Sequence, residues 1–230
     1  MANWLTSSLF YGAVLTIIAY EIGLLLRRRF KAALVNPILI GVILVIAINQ
    51  LTKTDYETYH QSAQYLSWLL TPATICLAVP LYEQMTLLKK NLLAVACALI
   101  AGVLSSLGGV LVFSLAWGLD HQMYVTLLPK SITTAIGMAV AQELGGIVPL
   151  AVAVIIFSGL MGHMLASAFF KLIGVKEPAA KGLAIGTASH AIGTSRALEM
   201  GPVEGAMSSL AIAAAGILTV TCVSFFAGLH

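Results

Sequence analysis

Apolar residues fill most of the chain in long runs that short polar segments interrupt. About 20 apolar residues in helical form cross a hydrocarbon core, and backbone in lipid must satisfy its own hydrogen bonds. We therefore predict an all-α polytopic membrane protein. Its predicted spans are 5–26, 34–50, 66–84, 91–117, 147–172, 183–199 and 205–228, and the segment 124–145 is ambiguous.

Basic residues orient these spans, because cytoplasmic loops carry an excess of Lys and Arg. The three clusters are Arg27, Arg28, Arg29 and Lys31 after the first span, Lys89 and Lys90 after the third, and Lys171, Lys176 and Lys181 before 183–199. All three are cytoplasmic only if 124–145 enters and leaves on one side. We predict about seven transmembrane helices and this re-entrant segment, with the N-terminus, loop 52–61 and Asp120 outside and the C-terminus cytoplasmic. Eight full crossings would place the third cluster outside.

Composition agrees with a single membrane domain over 1–230. Of the 230 residues 60% are hydrophobic and 9% are charged, against about a quarter charged in soluble domains. The basic residues follow the topology, so no nucleic-acid partner is expected. Phosphate loops, zinc spacings and dinucleotide fingerprints do not occur in the sequence; we expect no enzyme, cofactor or metal site.

An internal repeat is indicated when the sequence is aligned with itself at an offset of 116 residues. The shift lays 34–50 on 150–166 and 71–83 on 187–199, and it lays the span 91–117 on the chain from 207 to the C-terminus, which ends three residues earlier. It defines repeats of approximately 1–117 and 118–230, and the topology above makes them inverted, as in many secondary transporters. Interrupted segments at matching positions are the sequence pointer to a transporter's site, and here they are the broken helices predicted at 71–83 and 187–199.

Both broken helices and the re-entrant segment carry polar groups suited to an anion. Thr71 precedes Pro72, and Gly186 and Gly193 bracket Thr187, Ser189 and His190. Unwound helix ends expose amides and carry partial positive charge. The third group, "PKSITTAIGMAVAQELGG" (129–146), begins with a lysine and a Ser/Thr cluster.

Lys130 and Arg196 are the two basic residues that the topology leaves outside the loops. A charge within the bilayer usually faces a cavity and is paired, so one or both would neutralise an anionic substrate. Arg196 could instead snorkel or pair with Glu199, and Lys130 could be a loop residue. His190 is either a proton carrier or a polar helix contact. A site that His190 and Arg196 share requires a break at Gly193, since the two point apart on a continuous helix.

Three runs carry a resemblance to a known family: "TPATICLAVPLY" (71–82), "TLLPKSITTAIGMAVAQELGG" (126–146) and "GTASHAIGTSRALEMG" (186–201). Over nearly its whole length the chain resembles the LrgB/CidB family of bacterial inner-membrane proteins. The resemblance implies a fold like that of elevator-type cation/proton antiporters and anion transporters, with crossed discontinuous helices. It also implies one of two roles. One is holin/antiholin-like control of murein hydrolase activity with a small LrgA/CidA partner. The other is transport of small monocarboxylates such as glycolate, glycerate and pyruvate.

Our main hypothesis is a secondary transporter of small organic monocarboxylates, coupled to protons or another ion. The alternative is a holin/antiholin-like regulator of autolysis that acts with an LrgA/CidA-like partner. Self-association in the lipid bilayer is compatible with both. The predicted substrate-binding residues are Thr71, Thr74, Lys130, Ser131, Thr133, Thr134, Thr187, Ser189, His190, Thr194, Ser195 and Arg196, and the predicted coupling residues are His190, Glu83 and Glu199.

Overall fold

The computed structural model describes residues 8–30, 36–69, 72, 75, 76, 78–83 and 85–230, and within these ranges it is helical and contains no strand. Thr71 and Thr74 lie outside the described residues. The helices are α1 (Tyr11–Phe30), α2 (Pro37–Thr52), α3 (Tyr56–Trp68), α4 (Ala78–Glu83), α5 (Met85–Lys90), α6 (Leu92–Trp117), α7 (His121–Leu127), α8 (Thr134–Glu143), α9 (Val148–Ile173), α10 (Pro178–Met200) and α11 (Pro202–Ala227).

The chain divides into two compact units, Met1–Cys76 and Leu77–His230. This boundary differs from the predicted repeat boundary at 117/118. The division into units does not test whether the two halves of the chain are related by internal symmetry. Both the repeat and the single membrane domain therefore stay predictions.

Hydrogen bonds between helices hold the first unit together. The Gly12 amide donates to Ser62 Oγ at 2.9 Å, which joins α1 to α3. The hydroxyl of Tyr11 donates to Asn49 Oδ1 at 2.9 Å, which joins α1 to α2. Asp55 caps α3 and accepts hydrogen bonds from Thr58, which lower the pKa of its carboxyl group.

One predicted boundary in this unit is wrong. The segment 52–61 was expected to be a loop, but α3 begins at Tyr56, because Asp55 supplies an N-cap for it. Within the span predicted over 66–84, α3 ends at Trp68 and α4, in the second unit, begins at Ala78.

Three helices of the second unit are long and apolar enough to cross a membrane, judged over the described residues: α6, α9 and α11. Each has 26 residues, and 26 residues span about 39 Å at 1.5 Å per residue. The hydropathy of these helices, together with the family to which the chain belongs, shows that this is a membrane protein. The count of about seven crossings stays a prediction.

The segment between α6 and α9 is a helical hairpin, which we call hairpin A (121–143). It consists of α7, a turn at 128–133 and α8. The seven residues of α7 and the ten of α8 extend about 10 and 15 Å, too short to cross a bilayer. Gln122, in the first turn of α7, donates from Nε2 to the Gly145 carbonyl at 3.3 Å, so the chain leaves the hairpin beside the point where it entered.

A second hairpin, hairpin B, is formed by α10. His190 interrupts the helix with φ 41° and ψ −140°. Gly182, near the start of α10, lies against Glu204 in the first turn of α11, and Gly201 ends α10 directly before that turn. A straight helix would separate Gly182 and Gly201 by about 28 Å. The arms of hairpin B, 178–189 and 191–200, therefore run in opposite directions.

This path corrects the prediction of a membrane-spanning helix over 183–199. The predicted break in the helix exists and lies at His190, within the segment that Gly186 and Gly193 bracket; it is not at Gly193, where a site shared by His190 and Arg196 would require it. It reverses the chain instead of unwinding a crossing helix. Gly193 contributes differently: a Cβ atom there would clash with Ser189 Cβ of the first arm, so its lack of a side chain lets the two arms approach closely.

Helix α11 shows that the two hairpins enter from opposite ends of the unit. Hairpin B begins and ends beside Glu204, at the start of α11. Hairpin A lies beside the other end, where the Tyr124 hydroxyl donates to the Phe226 carbonyl at 2.7 Å and His121 Nδ1 lies 2.8 Å from the His230 carbonyl. Asp120 and the C-terminus therefore share one end, which contradicts their predicted placement on opposite sides of the membrane.

Apolar side chains fix each hairpin between the long helices. Hairpin A packs through Tyr124, Val125 and Leu128 against the second halves of α6 and α11. Hairpin B packs through Leu183 against the first halves of the same two helices. Ile185, in its first arm, contacts the end of α9. Lys130, at the tip of hairpin A, lines cavities together with Ala184 and Ala188 of the first arm of hairpin B.

Candidate functional site

Lys130 lies in the turn at the tip of hairpin A, half-buried between helices. Its ammonium group donates to Ser106 Oγ of α6 and to Ser131 Oγ, each at 3.3 Å. The two hydroxyl oxygens are themselves 2.6 Å apart and share a hydrogen bond. Within the described residues Lys130 forms no ion pair, so its positive charge is not neutralised by a carboxylate.

The donors of this cluster can be counted. An ammonium group has three N–H donors and each hydroxyl has one O–H donor. Two N–H groups are used by the serines, and one hydroxyl donates to the other. One N–H of Lys130 and one O–H, of Ser106 or Ser131, remain. Two convergent donors beside a positive charge suit the two oxygens of a carboxylate.

The residues that carry these donors line a cavity of about 420 Å³. Hairpin A contributes Lys130 and Ser131 to its lining, α6 contributes Gly102, Ser105 and Ser106, and the first arm of hairpin B contributes residues that include Thr187. Alanine and leucine side chains supply most of the remaining surface. Because apolar walls lower the local dielectric constant, the interaction of Lys130 with an anion is stronger there than in water.

A second cavity, of about 370 Å³, also includes Lys130 in its lining. It lies on the side of α9, with Ser158, Gly162 and Ser189. The two cavities share Lys130, Ala184 and Ala188. The first arm of hairpin B therefore separates two spaces, and Lys130 borders both.

Two residues predicted from the sequence stand beside these cavities on hairpin B. Thr187 is buried, its hydroxyl donates to the Leu183 carbonyl at 2.7 Å, and its methyl group packs against Gly102. Ser189 is buried against Gly162 of α9. Thr133 and Thr134, at the start of α8, are half-buried and do not line either cavity.

His190 forms the tip of hairpin B and is almost completely buried. Its Nε2 donates to the Ile155 carbonyl of α9 at 3.0 Å. A non-glycine residue with positive φ is strained, and such strain is held by the surrounding packing. The bond to Ile155 is part of that packing, so the structure places His190 in a helix contact. Its predicted coupling role stays a prediction.

On the second arm of hairpin B, the residues predicted to bind the substrate contact α9 and α11 and not Lys130. Thr194 is 2.7 Å from Ser208 Oγ of α11, and Ser195 is 3.0 Å from His163 Nδ1 of α9. Arg196 donates to Ser167 Oγ and pairs with Glu199 at 2.7 Å. None of these lines either cavity. The pair with Glu199 is the alternative that the sequence left open for Arg196. Because the arm reverses at His190, the structure does not bring Arg196 to Lys130.

Glu83, predicted as a coupling residue, is exposed on α4. Glu199 is also exposed and pairs with Arg196. The residues that sequence reasoning missed are Ser105 and Ser106, within "AGVLSSLGG" (101–109). Adjacent serines within an otherwise apolar span were the available signal, since intramembrane polar groups often mark a site.

Comparison with known proteins shows similarity along almost the whole chain. The model of the LrgB-like family matches residues 16–229. Three relatives named "Antiholin-like protein LrgB", from Bacillus mycoides (strain KBAB4), Bacillus cereus (strain B4264) and Bacillus anthracis (strain CDC 684 / NRRL 3495), are each 36% identical over 227 residues, which is 98% of this chain and 98% of the relative. No solved structure matches.

Proposed function

The chain belongs to the LrgB-like family, and we propose that it binds a small organic monocarboxylate at Lys130 and carries it across the bacterial inner membrane. The observation that carries this proposal is the ammonium group of Lys130, which forms no ion pair within the described residues and keeps a free donor beside that of a serine hydroxyl. Charges at membrane depth are costly unless they are paired. An anionic substrate would supply the missing partner.

The arrangement of the hairpins supports transport rather than binding alone. Hairpins A and B enter the second unit from opposite ends, and Lys130 at the tip of one borders two cavities that an arm of the other separates. Discontinuous helical elements that meet near the midplane are typical of secondary transporters, in which the site opens to the two sides alternately. Movement of hairpin B relative to Lys130 would change which of the two cavities gives access to Lys130.

An uptake assay tests this proposal. Proteoliposomes with the purified protein are given labelled pyruvate, glycolate or glycerate under an imposed proton gradient. We expect saturable uptake of at least one of these anions, and loss of that uptake in Lys130→Gln. Lys89→Gln removes an equal charge from an exposed position on α5 and serves as the control. Saturable uptake at the parent rate by folded Lys130→Gln would contradict the site.

The names of the relatives favour a second function more directly than they favour transport. Each of the three relatives given above is called an antiholin-like protein, and none of these names mentions a transported anion. The second candidate is therefore an antiholin-like regulator of murein hydrolase activity, acting with a small LrgA/CidA-like membrane protein. Such a regulator needs no anion site, so it leaves the unpaired charge of Lys130 without a role.

Complementation distinguishes the two functions. A strain that lacks the gene is supplied with the parent chain or with Lys130→Gln at equal abundance, and its autolysis is measured. If transport underlies the phenotype, Lys130→Gln fails to restore parental lysis. Full restoration by Lys130→Gln would support regulation through protein contacts, independent of the anion site.

A further inference from the structure

A third cavity lies where α9 ends and α10 begins, and cationic side chains line it. Its volume is about 400 Å³, and its lining includes Lys171, Lys176 and Lys181. These lysines form the cluster that the positive-inside rule assigns to the cytoplasmic side. That rule accounts for their presence near this end of the unit, but it does not require them to share a cavity.

Within the described residues none of the three lysines forms an ion pair. Glu177 is adjacent in sequence, but it is exposed and does not line the cavity. Lys171 and Lys176 are exposed and Lys181 is half-buried; like charges that line one cavity repel one another, and a bound anion relieves that repulsion. The cavity is therefore electrostatically suited to an anion of more than one charge.

Ser167 of α9 adds a directional donor to this cavity. Its Oγ accepts hydrogen bonds from Nε and Nη2 of Arg196 at 3.2 and 2.9 Å, which occupies both acceptor positions of a hydroxyl oxygen. Glu199 holds the other end of the guanidinium through Nη1. Within the described residues the Ser167 hydroxyl donates to no acceptor, so its proton is available to the cavity that it lines.

We infer that this lysine cavity binds a phosphate group, carried either by an anionic lipid headgroup or by a soluble phosphate. Lysines bind phosphate as point charges, and basic pockets between helices near the cytoplasmic surface accept anionic headgroups. Phe170 and Met200 give the cavity an apolar wall that suits the acyl chains of a lipid. The inference does not depend on the proposed transport at Lys130.

Thermal unfolding of the purified full-length chain in detergent tests the inference. Inorganic phosphate is titrated in one arm, and mixed micelles with phosphatidylglycerol in a second, against micelles with phosphatidylcholine. We expect a saturable rise of the unfolding temperature with phosphate, with phosphatidylglycerol or with both. The rise should disappear in the triple variant K171Q/K176Q/K181Q and persist in K89Q/K90Q, which removes charge from the end of α5 instead.

A second variant separates a built site from diffuse attraction of anions to lysines. Ser167→Ala keeps every charge but removes the free hydroxyl proton, so the apparent affinity should fall about tenfold, as for loss of one hydrogen bond to a charged group. Thr221→Val removes an exposed hydroxyl from α11 and should leave the affinity unchanged. Because Ser167→Ala needs no lysine substitution, it also serves if the triple variant fails to fold.

The outcomes divide clearly. A shift with phosphate alone identifies a soluble ligand, and a shift with phosphatidylglycerol alone identifies a headgroup; both support the site. The inference is overturned if neither ligand shifts the unfolding temperature. It is also overturned if the triple variant responds as the parent does, or if Ser167→Ala binds as tightly as the parent.

Discussion

The ammonium group of Lys130 lies 3.3 Å from the hydroxyl oxygen of Ser106, and the two residues come from different elements. Lys130 belongs to the tip of hairpin A, and Ser106 lies in the middle of α6. The contact therefore holds a charged side chain at a fixed depth along a helix that is long enough to cross the membrane. It also leaves a donor of Lys130 directed to a cavity.

Replacing Ser106 by alanine should weaken anion binding without removing it. The substitution breaks the shared hydrogen bond with Ser131 and removes one contact that positions Lys130. A single neutral hydrogen bond contributes about 0.5–1.5 kcal/mol, so we expect an affinity lower by about two- to tenfold. Concentration dependence of uptake measures it, as a rise in KM. Unchanged KM in Ser106→Ala would show that this cluster does not contact the substrate.

The hairpin path predicts which residues are accessible from each side of the membrane. Asp120 and His230 lie at one end of the second unit, and Glu177 lies at the other, beside the start of hairpin B. Single cysteines at these three positions, in a background without Cys76, Cys97 and Cys222, can be labelled with a membrane-impermeant maleimide in intact cells and in inverted vesicles.

We expect D120C and H230C to react from one side and E177C from the opposite side. A chain in which 183–199 crosses the membrane would instead place D120C and H230C on opposite sides. Labelling of those two from different sides would therefore contradict hairpin B.

A matched pair of glycines tests the close approach of the arms of hairpin B. A Cβ atom at Gly193 would lie 3.0 Å from Ile185 Cγ2, whereas one at Gly108 of α6 would meet nothing within 4 Å. Overpacking costs about 1–3 kcal/mol, so Gly193→Ala should lower the unfolding temperature. Gly108→Ala should leave it unchanged or raise it, because alanine favours a helix by up to about 1 kcal/mol. Equal effects of the two substitutions would argue against packed arms.

Much of the second unit could be predicted from the sequence. Hydropathy located α6, α9 and α11 to within a few residues, because long apolar runs report burial in lipid or in the core. The same-side return of 124–145 followed from the positions of the lysine clusters. Lys130 was recognised because a cation outside the loops of a membrane protein needs a partner.

The reversal at His190 could not be predicted from the sequence. The run 183–199 has the length of a spanning helix, and the turn occurs at a non-glycine residue with φ 41°. Only tertiary contacts, such as the His190 bond to Ile155 and the Thr194 contact with Ser208, select that conformation. For the same reason the sequence could not decide between a substrate contact of Arg196 and its pair with Glu199, since the reversal turns this arm towards the end of α9.

The most direct test of the central claim is equilibrium binding of labelled pyruvate, glycolate and glycerate to the purified protein in detergent, for the parent chain, Lys130→Gln and Lys89→Gln. We predict saturable binding of at least one anion by the parent chain and by Lys89→Gln. Folded Lys130→Gln should bind that anion at least about tenfold more weakly, as expected when a charged hydrogen-bond donor is lost. Equal affinity in all three proteins, or no saturable binding of any of the three anions by the folded parent, would contradict Lys130 as the anion site.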